Sequence, residues 1–247
     1  MPKDLFSQQA SLYAQYRPVY PPELFDYLLS FVQEKNVAWD CATGNGQAAA
    51  VLCNHFKKVY ATDISEKQLQ QALLRDNIVY SIAAAEKTDF GDNLFDCITV
   101  AQAYHWFDFT AFRKELMRVA RPGALVAVWG YSLVDCEDET VNEYIGSFYR
   151  NKVGAYWDKE RKYVDDHYAT VPFPYEELPP RKFTIALRWT KDDLQGYLNT
   201  WSGVQHFVRA NGYNPVTGFC ESLKKVWPGN DARMFYFPVF LRIGKVK

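Results

Sequence analysis

Several features that would place this 247-residue chain in a special class are missing from its sequence. No stretch approaches the ~20 continuous apolar residues of a membrane-spanning helix, and the opening MPKDLFSQQA lacks the apolar core of a secretory signal. The 5 cysteines are scattered and never spaced C-x-x-C, which argues against a zinc knuckle or a disulfide framework. We therefore expect a cytoplasmic protein with reduced thiols, no membrane association and no structural metal.

Positive charge is not in excess either. The chain has 28 Lys and Arg against 29 Asp and Glu, a formal net charge of -1, and it has no basic run. Proteins that bind nucleic-acid phosphates usually show a basic surplus or a basic segment. The balance therefore argues against nucleic acid as a partner and leaves a small molecule as the expected one.

Aromatic residues, in contrast, are abundant, at 17% of the chain. Aromatic side chains bury the largest apolar area per residue, so we expect most of them in a large core. A few are expected to remain for the wall of a ligand pocket.

Short apolar segments alternate with helical patterns along the first half of the chain. Strands are predicted at 37–39, 59–61, 78–85, 95–101 and 124–129. Helices are predicted to begin near Pro22, to span 48–56, to begin at Ser65 with Gln68 completing a capping box, and to span 111–119. This alternation predicts parallel β-α-β units and a doubly wound α/β sheet.

The rhythm changes after Trp129. Residues 133–182 hold one helical pattern and a loop-rich stretch, followed by a predicted strand at 183–189. Thr190 and Asp193 are predicted to cap a helix whose apolar face holds Leu194, Tyr197, Leu198 and Trp201. A long final strand is predicted from Arg233 to Val246. We expect one domain, with its core at about 33–132, 183–190 and 232–247. An N-terminal lid at 1–32 and a helical substrate cover at about 133–182 and 191–231 would complete it.

A glycine-bearing turn, Asp40-Cys-Ala-Thr-Gly44-Asn-Gly46, follows the first predicted strand. Glycines at this point let backbone N–H groups approach a ligand at a helix N-terminus. With Ala49 the spacing also satisfies the dinucleotide pattern G-x-G-x-x-A. Asp63 ends the second strand, where a carboxylate can accept hydrogen bonds from ribose hydroxyls.

Two cofactor classes fit this pattern, a nicotinamide or flavin nucleotide and S-adenosylmethionine. A pyrophosphate would be repelled by the acid at Asp40, whereas the ammonium of a methionine moiety would be attracted. The residues therefore favour S-adenosylmethionine and keep a nucleotide-dependent oxidoreductase as the rival.

Five motifs, in this order, carry a resemblance to a known family: D40-C-A-T-G-N-G-Q, A-T-D63, A-A-E86, F95-D-C-I-T-V-A-Q-A-Y-H-W and L116-x-R-V-A-R-P-G. The sequence resembles a class I S-adenosylmethionine-dependent methyltransferase of the type 11 group. The segment Tyr13 to Pro21 is similar to the subgroup that includes trans-aconitate methyltransferases. The resemblance implies a Rossmann-like, seven-stranded sheet, mostly parallel with an antiparallel last strand.

The resemblance also implies a set of cofactor-binding residues. Asp63 would bind the ribose, Ala85 and Glu86 would lie near the adenine, and His105 with Trp106 would cover the methyl group. The full set is Tyr13, Tyr16, Arg17, Asp40, Thr43, Gly44, Gly46, Asp63, Ile64, Ala85, Glu86, Gln102, Ala103 and Trp106. Rings are expected to face the sulfonium, because a cation over an aromatic face is attracted by about 0.5–2 kcal/mol.

The acceptor decides whether a base is needed. A carboxylate is already ionised at neutral pH, whereas a hydroxyl or phenol would benefit from a base. His105 is the candidate base, and the alternative is that His105 is a hydrogen-bonded residue of the cavity wall. Basic residues of the cover could grip substrate carboxylates, and they are Arg150, Lys152, Arg161, Lys162, Arg181, Arg188 and Arg209.

The expected function is methyl transfer to an oxygen of a small molecule, a carboxylate among the candidates. Carbon or nitrogen methylation and a non-catalytic cofactor-binding relative stay open as alternatives. A monomer or a weak homodimer is expected.

Overall fold

A computed structural model describes residues 15–229 and 231–247, and one mixed β-sheet forms its centre. The first half of the chain contributes β1 (Val37–Cys41), β2 (Lys58–Asp63), β3 (Ile78–Ile82), β4 (Phe95–Ala101) and β5 (Ala120–Tyr131). The second half contributes β6 (Asp135–Cys136), β7 (Glu176–Glu177), β8 (Phe183–Trp189) and β9 (Arg233–Lys245).

Helices connect and flank these strands. Those of the first half are α1 (Pro22–Leu29), α2 (Gln47–Leu52), α3 (Glu66–Leu69) and α4 (Phe109–Val119). Those of the second half are α5 (Glu139–Ser147), α6 (Arg161–Asp165), α7 (Lys191–Asn199), α8 (Ser202–Asn211) and α9 (Pro215–Leu223). Within the two described ranges, no helix has both the length and the apolar character needed to cross a membrane.

The long strands are ordered β3-β2-β1-β4-β5-β9-β8. Strands β1 to β5 pair in parallel, whereas β9 is antiparallel to both β5 and β8. This confirms the predicted doubly wound, mostly parallel sheet with an antiparallel last strand. The two-residue strands β6 and β7 also pair with β9, and they are too short for any sequence periodicity to reveal.

Both faces of the sheet are covered by aromatic side chains. On one face Trp39 stacks on Phe95, with ring centroids 5.6 Å apart, and α4 packs there through Phe112. On the other face Trp129 receives the edge of Tyr20 at 5.5 Å. The aromatic richness of the sequence is therefore used mainly in the core, as its composition predicts.

Among the elements that were predicted, the differences lie at their ends, whereas α6, α8 and α9 were not predicted individually. The helix predicted over 48–56 ends at Leu52, and the strand predicted over 78–85 ends at Ile82. Beyond Ile82 the chain turns, because Ala84 and Lys87 form an isolated bridge. This turn brings Ala83 and Ala85 to the carboxyl edge of the sheet.

The sheet has its topological switch point between β1 and β4. From β1 the chain proceeds through β2 to β3, and then returns to place β4 on the other side of β1. Ligands of open α/β sheets bind outside the carboxyl ends of the strands at such a point. The predicted division into core, lid and cover stays a prediction.

Candidate functional site

A cavity of about 300 Å³ lies at the carboxyl ends of β1, β2, β4 and β5. The predicted site residues that line it are Arg17, Thr43, Gly44, Asp63, Ile64, Ala85, Glu86, Gln102, Ala103, His105 and Trp106. The opposite wall comes from the second half of the chain, through Trp157, Asp158, Glu160, Arg161, Tyr197, Trp201 and Ser202. Tyr16, Asp40 and Gly46 do not line the cavity, and Tyr13 lies outside the described residues.

The two glycines of the turn after β1 have different surroundings. Gly44 has φ +57, and a Cβ built there would meet nothing within 4 Å, so it would project into open space. Gly46 has φ +81, and its Cβ would lie 2.6 Å from the Tyr80 hydroxyl. Gly44 thus leaves room for a ligand, whereas Gly46 allows the turn to pack against β3.

Asp40 lies beneath the turn, with 1% of its surface exposed. Its carboxylate accepts hydrogen bonds from the Thr43 hydroxyl, from the Thr99 hydroxyl at 2.8 Å and from the Ala49 amide at 3.1 Å. Burial raises the pKa of Asp40 from 3.8 to about 6, although these three donors lower it. Asp40 therefore organises the turn and α2 from below.

Asp63 connects two loops at the cavity wall. Its Oδ2 accepts the Gly44 N–H at 2.8 Å, and its Oδ1 accepts the Ser65 N–H at 2.8 Å. The Ser65 hydroxyl in turn accepts the Gln68 N–H, so Ser65 caps α3 as predicted. The predicted capping box is not completed by Gln68, because the Ser65 N–H is bound by Asp63. A carboxylate has about four acceptor positions, so Asp63 can accept further hydrogen bonds from a ligand.

Gln102 follows β4 in the left-handed region, with φ +55. Its side-chain amide pairs with the backbone of Tyr131, whose N–H it accepts at 2.9 Å and to whose carbonyl it donates at 3.4 Å. A Cβ on Gly130 would lie 2.4 Å from the Gln102 Oε1, so glycine is needed there. This pairing holds the ends of β4 and β5 together at the cavity.

His105 is the one histidine among the described residues that line the cavity. Its Nδ1 lies 2.8 Å from the Tyr168 hydroxyl, and its ring is 4.7 Å from that of Trp106. Burial, together with the charge of Arg161, lowers the pKa of His105 from 6.5 to about 3. The imidazole is therefore neutral at physiological pH.

Two arginines reach the cavity from outside the sheet. Arg17 donates from Nη1 to the Tyr131 hydroxyl at 2.7 Å and from Nη2 to the Thr200 carbonyl at 3.2 Å. Arg161 donates from Nε to the Tyr149 hydroxyl at 2.8 Å. The other basic cover residues named from the sequence do not line the cavity.

Comparison with known proteins bears directly on this arrangement. The sequence profile of the Methyltransf_11 family, a methyltransferase domain, matches residues 39–128. A Dictyostelium discoideum relative that is named as a methyltransferase is 31% identical over 249 residues, which cover 98% of this chain and 95% of the relative. This chain belongs to the class I S-adenosylmethionine-dependent methyltransferases. The family decides against the oxidoreductase rival.

Solved structures agree with this membership. A protein of Anaeromyxobacter dehalogenans that is named as a type II methyltransferase superposes with a TM-score of 0.84 at 36% identity, covering 93% of this chain and 98% of that one. A Bacillus halodurans protein named as a methyltransferase superposes with a TM-score of 0.51, covering 89% of this chain and 97% of that one. At 20% identity, the second likeness shows a shared fold alone.

The cofactor of this methyltransferase is S-adenosylmethionine, and the cavity fits it. The space in front of Gly44 admits a ligand against the turn. Asp63 and Glu86 offer carboxylate acceptors on the same wall, which suit the hydroxyl and amino groups of an adenosyl compound.

On the cover side of the methyltransferase cavity, sequence reasoning named Arg161 but missed the other lining residues. Trp157, Asp158 and Glu160 stand together before α6, and the run W-D-K-E-R at 157–161 was the available signal. Tyr131 could have been found because it ends β5, at the carboxyl edge where ligands bind. Tyr197 gave no such signal, since its helical spacing is equally that of a core residue.

Proposed function

We propose that this methyltransferase transfers a methyl group to a carboxylate oxygen of a small acidic molecule bound between β4 and the cover. The observation that carries the proposal is the state of Arg161. Its guanidinium lines the cavity, and neither Nη nitrogen donates a hydrogen bond to any residue of the described ranges.

The Arg161 side chain is held firmly at its other atoms. Its Nε donates to Tyr149 and, at 3.2 Å, to Asp165, while the guanidinium lies over the rings of Tyr149 at 5.2 Å and Trp157 at 5.0 Å. A fixed guanidinium with both terminal nitrogens uncommitted suits a carboxylate, which it can bind through two parallel hydrogen bonds. Pre-organisation reduces the entropy lost when that acceptor binds.

The protonation state of His105 also favours a carboxylate acceptor. His105 has a pKa near 3, so it is a weak acceptor for the proton of a hydroxyl or phenol. A carboxylate needs no base, because it is ionised at neutral pH. The cavity is therefore better suited to orienting an ionised oxygen than to creating one.

The residues of this chain act mainly by alignment. Bound S-adenosylmethionine supplies an activated methyl group on a positively charged sulfur. Asp63 would hold the ribose, Gly44 the methionine part, Ala85 and Glu86 the adenine, and Trp106 would face the sulfonium. Alignment of two reactants can lower a barrier by about 7–11 kcal/mol.

The transfer itself leaves no proton to move. An acceptor oxygen forms the new O–C bond while the S–C bond breaks and its electron pair stays on sulfur. The products are a methyl ester and S-adenosylhomocysteine.

An amine acceptor is the second candidate, because two acids also line the cover side. Asp158 and Glu160 face the same cavity as Arg161, and a carboxylate attracts an ammonium. Such an acceptor would have to lose a proton before attack, which makes it less suited to a cavity whose histidine is a weak base.

The product distinguishes these candidates. The purified protein is incubated with methyl-labelled S-adenosylmethionine and a panel of small mono- and dicarboxylic acids, phenols and amines. We expect transfer to an acid, with label released as methanol in alkali because methyl esters hydrolyse there. Alkali-stable label on a phenol or amine would overturn the proposal.

Other sequence-based expectations stay predictions. They are the cytoplasmic location, the absence of a nucleic-acid partner, the monomeric or weakly dimeric state and the relation to trans-aconitate methyltransferases.

A further inference from the structure

Two consecutive non-glycine residues before β7 lie in the left-handed region. His167 has φ +57 and Tyr168 has φ +61, and Tyr168 is fully buried. Such a conformation costs on the order of 1–3 kcal/mol for each residue and persists only where surrounding contacts impose it. A strained pair that holds a side chain against a residue lining a ligand cavity is a sign of function.

Arg242 of β9 imposes this conformation. Its Nη1 donates to the Tyr168 carbonyl at 3.1 Å and to the Val171 carbonyl at 2.6 Å, and its Nη2 pairs with Glu177 at 2.5 Å. The Tyr168 ring also packs against Phe240, at 4.9 Å. The backbone of the strained pair is therefore tied to the sheet on which the cavity is built.

The Tyr168 hydroxyl is delivered to Nδ1 of His105, at 2.8 Å. Burial raises the pKa of Tyr168, so the phenol keeps its proton. The hydroxyl is buried and makes no other hydrogen bond within the described residues, so Nδ1 is the one acceptor there to which its proton can be donated. Nδ1 then carries no proton, and the proton of the neutral imidazole is on Nε2.

Nε2 of His105 is available to a ligand. It makes no hydrogen bond within residues 15–229 and 231–247, and it is not one of the buried side-chain atoms left without a partner there. Nε2 therefore retains exposed surface on a residue that lines the cavity, where a ligand can reach it.

We infer that Tyr168 is a positioning residue that fixes His105 in its Nε2–H form, so that His105 donates a hydrogen bond to the methyl acceptor. For the acceptor's chemistry, this rests on the proposed function. One carboxylate oxygen attacks the methyl carbon, and the other accepts the Nε2–H bond. That second oxygen becomes the carbonyl oxygen of the ester, so the same hydrogen bond serves before and after transfer.

The first test needs no variant. The wild-type protein is labelled with ¹⁵N-histidine, and long-range ¹H–¹⁵N spectra give the protonation of each ring nitrogen, with Asn in place of His105 (His105→Asn) identifying its signals. We expect an unprotonated Nδ1 and a protonated Nε2 at neutral pH. A proton on Nδ1 would overturn the inference.

The second test removes the Tyr168 hydroxyl alone, in Tyr168→Phe. We expect both tautomers of His105 to appear and kcat/KM for the acceptor to fall about ten-fold, while S-adenosylhomocysteine affinity is unchanged. Tyr175→Phe is the matched control, because the Tyr175 hydroxyl is buried and makes no hydrogen bond within the described parts of the chain. Unchanged tautomer and kinetics in Tyr168→Phe would contradict the inference.

The two proposals fail separately. If the acceptor is not a carboxylate, the labelled product shows it while the His105 tautomer stays as expected. If Tyr168 does not fix the tautomer, the spectra show it whatever the acceptor is.

Discussion

The carboxylate of Asp40 is fully buried near the end of β1, where desolvation disfavours its charged form. Sequence reasoning selected this acid for the ammonium of the cofactor, and the structure places it below the turn, among hydroxyl and amide donors. The residue type and the turn could be predicted from the spacing. The direction of the side chain could not, because it depends on Thr99 from a strand distant in sequence.

The buried acid should make stability depend on pH. In the folded protein Asp40 holds its proton up to about pH 6, whereas in the unfolded chain it releases the proton near pH 3.8. The contribution of this proton to folding stability is therefore complete below pH 3.8 and lost above about pH 6. The difference corresponds to about 3 kcal/mol. In Asp40→Asn, Thr99 can turn its hydroxyl to the Trp39 carbonyl, 3.4 Å away.

Wild type should lose this stability as the pH rises, whereas Asp40→Asn has no such group to titrate. We therefore expect the free energy of unfolding of Asp40→Asn, relative to that of wild type, to rise by up to about 3 kcal/mol between pH 4 and pH 7. The free energy of unfolding in urea, measured for both proteins at several pH values, gives this difference. A difference that does not change with pH would remove Asp40 as the source.

Arg161 is the residue on which acceptor binding should depend most. Loss of a charge-assisted hydrogen bond costs about 1.5–3 kcal/mol, so Arg161→Gln should raise the acceptor KM by about 10- to 100-fold. Arg161→Lys keeps the charge but loses the ability to form two parallel hydrogen bonds. Its acceptor KM should therefore lie between those of wild type and Arg161→Gln. Steady-state kinetics with the acceptor found in the panel measure both.

Arg209→Gln is the control for this comparison. Arg209 is an exposed arginine on α8 that does not line the cavity, so its loss should leave KM unchanged. Equal effects of the two glutamine variants would mean that Arg161 acts through general charge alone.

At the scale of elements, long segments with strong patterns were predictable. Strand β4 was predicted with the bounds it has, because its run of apolar residues is buried on both faces. Trp201 was assigned to the helix that ends at Asn199, although it is the N-cap of α8. Its spacing continued the helical period, and tertiary packing against Phe148 and Trp157 decided otherwise.

The turn between β1 and α2 offers a paired test of its two glycines. Gly46→Ala should lower the melting temperature strongly, because the new Cβ would lie 2.6 Å from the Tyr80 hydroxyl at φ +81. Gly44→Ala should cost only about 1–2 kcal/mol of stability, but should weaken cofactor binding because its Cβ enters the cavity. Thermal unfolding and calorimetry separate these effects, and the reverse assignment would contradict the description of the turn.

At the scale of the whole molecule, the cavity joins two parts that differ in how far sequence predicts them. The sheet edge is built from residues close to recognisable turns, so about half of its lining residues were predicted. The cover places Trp157 and Tyr197 against it through packing between segments far apart in the chain. Gly196 shows how tight this packing is, since a Cβ there would lie 2.4 Å from the Tyr16 ring.

This arrangement separates cofactor binding from acceptor binding across one cavity. Asp63 belongs to the sheet edge and Arg161 to the cover, and both line the same space. A residue of one side should therefore affect one ligand only.

Calorimetric titration of S-adenosylhomocysteine into wild type, Asp63→Ala and Arg161→Gln tests this separation most directly. We expect one site per chain in wild type, an affinity about 10- to 100-fold weaker in Asp63→Ala and an unchanged affinity in Arg161→Gln. Unaltered binding by Asp63→Ala, or equal losses in both variants, would contradict the account.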